Sequence, residues 1–314
     1  MTEVPARRSL VAAFAAIYLL WGSTFLALRY AVESVPPLAT IAVRCVLGAM
    51  ILFGWLAMRR SLVSTTRRQW VTAAVSGALL FLGGHAILAW AEQRVPSGRA
   101  ALLLATIPLW LVVIEAVRTR RLPSARVSLG IAVGLAGVAL LSGGAAGGAD
   151  ATLDEHLLLL VAALAWAVGS LVARQGLAGA PALQSTAMQL AAGGVLVVAA
   201  SLGTGELTGW SPDQVSPRAA VALAFLVVGG TVVGFAAYTW LLRVSAPHLV
   251  GTYGFVNPVV ALLLAWAVGD EAASAATGAA AALIAGAVAL TILPARPARP
   301  PRPAAVPVSC EAGG

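Results

Sequence analysis

The sequence predicts an all-α membrane protein whose ten transmembrane helices form two inverted-topology five-helix repeats. Composition gives the first reason. Of 314 residues, 60% are hydrophobic and only 10% charged, where a soluble domain carries about a quarter charged residues. Lipid is therefore the solvent for most of the surface. Length gives the second: a hydrocarbon core about 30 Å thick takes about 20 residues of helix to cross. Ten apolar stretches of that order run in series, at 10–29, 38–58, 69–91, 98–117, 126–143, 156–173, 183–202, 219–241, 248–268 and 274–293. Recurrence is the third. Trp21, Arg29 and Gly48 return 145 positions later as Trp166, Arg174 and Gly193, and Trp90 and Pro108 return 150 positions later as Trp240 and Pro258.

Taken in order, residues 1–9 are expected to be a cytoplasmic N-terminus. The opening PARRSLVAAF places paired arginines before an apolar run, as some export signals do. No A-x-A-like cleavage site follows, so it reads as an uncleaved first helix. Residues 10–143 form the first repeat. Its first span carries Trp21-Gly22-Ser23-Thr24 at mid-depth, its second Arg44 and Cys45, its third His85 and Trp90. Its fourth carries Thr106, Pro108 and Glu115, and its fifth Gly130, Gly134 and Gly137, which suit close helix approach. The run SGGAAGGADATLDE at 142–155 is Gly/Ala-rich and reads as a flexible connector, with 144–155 as an outer linker. Residues 156–293 form the second repeat, with Trp166 in its first span and Asn257-Pro258 in its fourth. Residues 294–314, opening PARPARPPRPAAVP, read as an extended, poorly ordered cytoplasmic tail.

Basic residues orient the chain, because arginines of short loops favour the cytoplasmic side. With the N-terminus inside, the inner segments hold Arg7, Arg8, Arg59, Arg60, Arg67, Arg68, Arg118, Arg120, Arg121, Arg126, Arg174, Arg243, Arg296, Arg299 and Arg302. The outer segments hold Arg29, Arg94, Arg99 and Arg218. Both termini are thus expected in the cytoplasm of a bacterial-type inner membrane. Five spans per half is an odd number, so the second copy enters from the opposite face, as in many secondary transporters.

The formal charge of +8 is explained by helix-end arginines beside anionic headgroups, so no nucleic-acid partner is implied. All 20 basic residues are Arg. A Walker-A loop and a lysine Schiff base, which both need Lys, are excluded. The two cysteines, Cys45 and Cys310, set up neither a disulfide framework nor a metal site. No catalytic serine, zinc or paired-aspartate motif is present, so an intramembrane enzyme has no nucleophile to work with. No cofactor is expected. A channel-like pore would more naturally show rings of like charge.

A charge at membrane depth costs about 2.5–3.5 kcal/mol on insertion scales and is a functional candidate by default. Arg44 leads. It either faces a cavity and holds an anionic group, or snorkels outward or pairs with Glu33 or Glu92. Glu115 is a candidate coupling carboxylate for a proton or ion, and also lies one turn from Arg118. His85 is either a cavity hydrogen-bonder or a packing histidine. Trp21, Ser23, Thr24 and Trp166 lie too deep for the interfacial aromatic belt that suits Trp90 and Trp240. Pro108 and Pro258, with Thr106 and Asn257 beside them, interrupt two spans near mid-membrane. Freed carbonyls are tolerated there only against protein or a watery cavity.

The residues WGSTFLALRYAVESVPP, then Arg44, VPSGRAALLLATIPLW at 95–110 and VNPVVALLLAW at 256–266 resemble the EamA family of the drug/metabolite transporter superfamily. The resemblance runs in order through both repeats, over about residues 10–293. It implies ten helices around a central cavity and export of small metabolites, amino-acid-like or drug-like compounds. An uptake permease of the same fold is the alternative. Family copies often end the ninth span in Gly-Glu, where this chain has Gly269-Asp270-Glu271. The expected partners are a small-molecule substrate and the lipid bilayer. The oligomeric state is left open, a homodimer among the choices.

Overall fold

The computed structural model describes residues 6–91, 103–143, 153–267 and 275–292. Glu92, Arg94, Arg99, the acidic run at 269–271, most of the 142–155 connector and the Pro-rich tail lie outside the described residues. Among the described residues the regular structure is helical, with no strand. Ten principal helices follow one another: α1 (Arg7–Val32), α2 (Pro37–Met58), α3 (Arg67–Ala91), α4 (Ile107–Thr119), α5 (Ala125–Gly143), α6 (Leu153–Gly176), α7 (Ala182–Thr204), α8 (Pro217–Val244), α9 (Tyr253–Ala267) and α10 (Ala275–Ile292). Among the described residues six of them, α1, α2, α3, α6, α7 and α8, are long and apolar enough to cross a membrane.

Local chemistry sets the ends. Pro37 opens α2 at a position where its missing N–H is no loss. Thr66 and Gln69 close a reciprocal capping box on α3. Ser216 caps α8 by accepting from Ala219 N, with Pro217 following. Gly205, at φ 71°, ends α7 in the left-handed region that glycine enters without strain.

The third helix of each half is widened by a π-helical segment, Ala78–Ala86 in α3 and Leu226–Val233 in α8. Each segment contains a glycine pair, Gly83-Gly84 or Gly229-Gly230.

The most extensive contacts join α2 to α7 and α5 to α10. Helix α1 lies against α8 and α9, and α6 lies against α3 and α4. Exchanging the first five helices for the second five maps each of these pairings onto another. Where α3 meets α7 the backbones touch: a Cβ on Gly77 would stand 2.6 Å from Gln189 O, and one on Gly193 2.8 Å from Gly77 O. Gly134 of α5 similarly leaves the space filled by the Phe255 ring.

Each end of the bundle is tied across the halves. At the end with the α1–α2 turn, the Glu206 carboxylate accepts from Leu38 N (3.1 Å) and Ala39 N (2.7 Å) at the N-terminus of α2. Trp210 Nε1 donates to Ser34 O at 2.7 Å, and the Arg218 guanidinium lies 3.4 Å over the Tyr30 ring. At the other end Gln184 exchanges two hydrogen bonds with the backbone of Val63. There, within the second half, Arg243 of α8 also ties the α6–α7 turn by donating to Leu177 O, Ala180 O and Ser185 Oγ.

Candidate functional site

A cavity lies between α1, α2, α3, α4, α6 and α9. Its walls include Trp21, Thr24, Arg44, His85, Trp166 and Asn257. Six of the ten cavity candidates named from the sequence therefore meet at one place. The rest of the wall is apolar, with Phe25, Leu28, Leu88 and Leu104 on the side of the α1–α2 turn. The space open to the centres of water molecules is about 70 Å³, room for about five waters. Small-molecule pockets usually measure about 300–1,000 Å³. A larger occupant requires the helices to part.

Arg44 is 5% exposed. Its Nε donates to Thr231 Oγ1 at 3.2 Å, and that hydroxyl donates to Leu226 O at 2.9 Å. The acceptor carbonyl belongs to the π segment of α8, where widening leaves backbone groups needing partners that lipid does not supply. Trp21 answers a second one: its Nε1 donates to Gly230 O at 2.8 Å. Glycine is required along this stretch. A Cβ on Gly230 would meet Thr24 Cγ2 at 2.8 Å, and one on Gly234 would meet the Trp21 indole at 2.5 Å. The π segment of α3 contributes Gly84 and His85 to the same cavity. His85 stacks on Phe81 and meets Trp166 edge-on at 4.8 Å.

Aromatic rings close the cavity toward the end with the α2–α3 loop. Trp21 contacts Trp166 edge-on at 5.7 Å and Tyr253 at 4.9 Å, and Tyr238 lies 5.7 Å from Tyr253. Hydrogen bonds fix this floor: Trp166 Nε1 donates to Tyr238 OH at 3.0 Å, and Tyr238 OH shares a 2.6 Å bond with Ser170 Oγ. Below it Tyr18 OH and Thr252 Oγ1 are 2.6 Å apart. The Asn257 amide, turned to donate, reaches Tyr18 O and Tyr253 O at 3.2 Å each.

The remaining candidates sit elsewhere. Ser23 Oγ donates to Leu19 O within its own helix. Thr106 Oγ1 donates to Leu103 O where the chain turns before α4. Pro108 packs on Gly251 and Gly254, and Pro258 is buried inside α9. Glu115 lies outside the cavity in a bidentate pair with Arg118, at 2.6 and 3.1 Å. Thr231 and Tyr253 were not singled out from the sequence. A threonine and a tyrosine in apolar spans carry no signal of their own, although Thr231 directly follows Gly229-Gly230 as His85 follows Gly83-Gly84.

The arrangement puts one permanent cation and several aromatic faces around a small, largely apolar space. It suits a ligand with an anionic group and an apolar body, since guanidinium pairs strongly with carboxylates in low dielectric.

Among the described residues, a helical bundle with bilayer-length apolar helices and a buried cation beside a central cavity marks a multi-pass membrane protein with an internal binding space. The pattern that defines the EamA-like transporter family matches residues 8–143 and 155–293, and the chain belongs to that family. It is 34% identical over 269 residues, 84% of each chain, to a protein of Escherichia coli (strain K12) named "Uncharacterized inner membrane transporter YedA". It is 25% identical over 252 residues to the "Uncharacterized transporter YoaV" of Bacillus subtilis (strain 168), covering 80% of this chain and 85% of that one. A solved chain recorded as "Crystal structure of protein" superposes with a TM-score of 0.75 at 24% identity, over 91% of this chain and 97% of that one. That likeness concerns the fold. The chain is thus a multi-pass transporter of the inner membrane.

Proposed function

We propose that the protein is a secondary transporter that works by alternating access and exports small metabolites, amino-acid-like or drug-like compounds bearing an anionic group. The carrying observation is Arg44, buried in the cavity wall and oriented by Thr231. Ten spans in two inverted repeats supply the alternation. The exchangeable helix pairings, the paired π segments and the family match on either side of residues 144–154 support that reading. Both termini lie in the cytoplasm in this scheme, on the arginine distribution. Trp21, Trp166, His85 and Asn257 shape the cavity around the cargo. The pair with Arg118 favours a structural role for Glu115, and coupling to a proton or ion would run through other groups.

The test begins with cells that contain or lack the gene, challenged with a panel of growth-inhibitory amino acids and toxic compounds. A compound tolerated only with the gene is then followed in inverted vesicles. Saturable uptake into them is expected with the wild type and lost with Arg44→Ala. An inserted, folded Arg44→Ala protein moving that compound at the wild-type rate sinks the anion-holding role. Uptake into right-side-out vesicles instead would favour the uptake permease.

A further inference from the structure

Beyond the aromatic floor, α4, the α4–α5 turn, the start of α5, Arg174 of α6 and residues 246–248 line a second, open cavity of about 640 Å³. Its ceiling is Leu111 and Pro247, and its sides include Glu115, Arg121, Ser124 and Arg174. Leu111 is fully buried and stands 3.2 Å from where a Cβ on Gly251 would be. Gly251 also abuts Pro108, and two residues on Tyr253 lines the central cavity. Leu111 on the wall of this space is thus joined, through Gly251, to the chain that lines the central cavity.

The charges here do not cancel. Glu115 is engaged by both nitrogens of the Arg118 fork, so its charge is already matched. Arg121 and Arg174 face the space in addition. The N-terminus of the 19-residue α5 adds the positive end of its dipole: Ser124 Oγ accepts from Val127 N at 3.4 Å, and both residues line the cavity. Val112, Ala116 and Val127 supply apolar wall. Arg174 also has a set relation to the central site. It lies eight residues beyond Trp166 on α6, about 12 Å along the axis. Arg29 stands in the same relation to Trp21 on α1, toward the opposite end.

We propose that this vestibule is a second binding site, which takes a small water-soluble organic carboxylate and holds it beside Arg121 and Arg174, one floor below Arg44. As a waiting position for cargo it rests on the transport reading above. As a binding site it does not. The volume suits a small molecule with an apolar body, and the two guanidinium groups suit its carboxylate. Phosphate and lipid headgroups share the anionic chemistry, and separate arms of the test distinguish them.

The experiment uses the full chain carrying Cys45→Ser and Cys310→Ser, with Thr119→Cys as a single reporter on the vestibule wall, in neutral phosphatidylcholine nanodiscs. Rates of thiol modification are measured with an anionic sulfonate reagent and with a cationic trimethylammonium reagent of the same size. The anionic reagent should react faster by about tenfold, the lower end of the concentration that a charged cleft gives its counter-ions. Arg121→Gln and Arg174→Gln, each alone, should reduce that preference. Millimolar benzoate should slow the anionic reagent in the parent protein, do so less in either variant, and do so undiminished in Arg44→Ala. Equal rates for the two reagents, or no protection by benzoate, overturn the proposal. So does protection by inorganic phosphate alone, or only on changing to anionic-lipid discs without benzoate. The benzoate arm in the parent protein needs no folded variant. Protection in a chain that moves no compound in vesicles would refute the transport reading and leave this site standing. Transport that depends on Arg44 without vestibule protection would do the reverse.

Discussion

The second helix of each half reaches the third helix of the other half through one polar side chain, and the two crossings differ. Arg44 of α2 donates to Thr231 of α8 at 3.2 Å, and Gln189 of α7, 145 positions later, donates to Ser76 of α3 at 3.0 Å. Gln189 is fully buried, its crossing lies where Gly77 and Gly193 bring the backbones together, and its amide oxygen has no partner. Arg44 instead borders an open space. The two halves pair their helices alike, but one crossing is packing and the other carries a charge at the cavity. A single cation needs only one cavity wall, and burying a second would cost several kcal/mol with nothing to bind.

Four substitutions break or sharpen that contrast. The largest effect is expected from Gln189→Arg, which gives the packed crossing a charge. It should cost at least about 3 kcal/mol and show as lost insertion or a collapsed melting transition in detergent. Next is Arg44→Gln, which makes the first crossing resemble the second. The protein should fold, and affinity for an anionic cargo should fall by about 2 kcal/mol, roughly thirtyfold, measured as a raised half-saturation in vesicles. Thr231→Val removes the partner that orients Arg44 while keeping its shape. A loss of about 1 kcal/mol, roughly fivefold, is expected, with Thr231→Ser restoring most of it; equal behaviour of Val and Ser would remove the hydroxyl from the account. The smallest effect belongs to Gln189→Leu. Ser76 Oγ still reaches Ala73 O and an orphan acceptor disappears, so stability should change by less than about 0.5 kcal/mol and transport should be unchanged.

The straps at the two ends give a similar lesson about legibility. Pro36-Pro37 and Thr66 mark the start of α2 and α3 in the sequence itself. That Glu206, some 168 positions away, would satisfy the first amides of α2 is carried by no local pattern, because any acid near a loop could have done it. Arg44 and the two deep tryptophans were readable as candidates because charge and mid-span indole are costly in lipid and stand out. Ser23 and Thr24 are adjacent and chemically alike, and both hydroxyls bond back to their own helix, yet Thr24 lines the cavity and Ser23 does not. One residue turns a helix by about 100°, which the spacing alone cannot anchor to a direction.

The sequence by itself determined the solvent, the helices and their order, and the recurrence between halves, because hydropathy, capping and Trp or Pro spacing act within a helix or between copies of one. Only the tertiary structure decided which face of each helix looks inward, which hydroxyl orients Arg44, and that an aromatic floor divides two cavities. The reason is physical. In a soluble protein water marks the outer face of every helix, whereas lipid tails are as apolar as leucine, so an inward and an outward Leu read alike until the helices are packed.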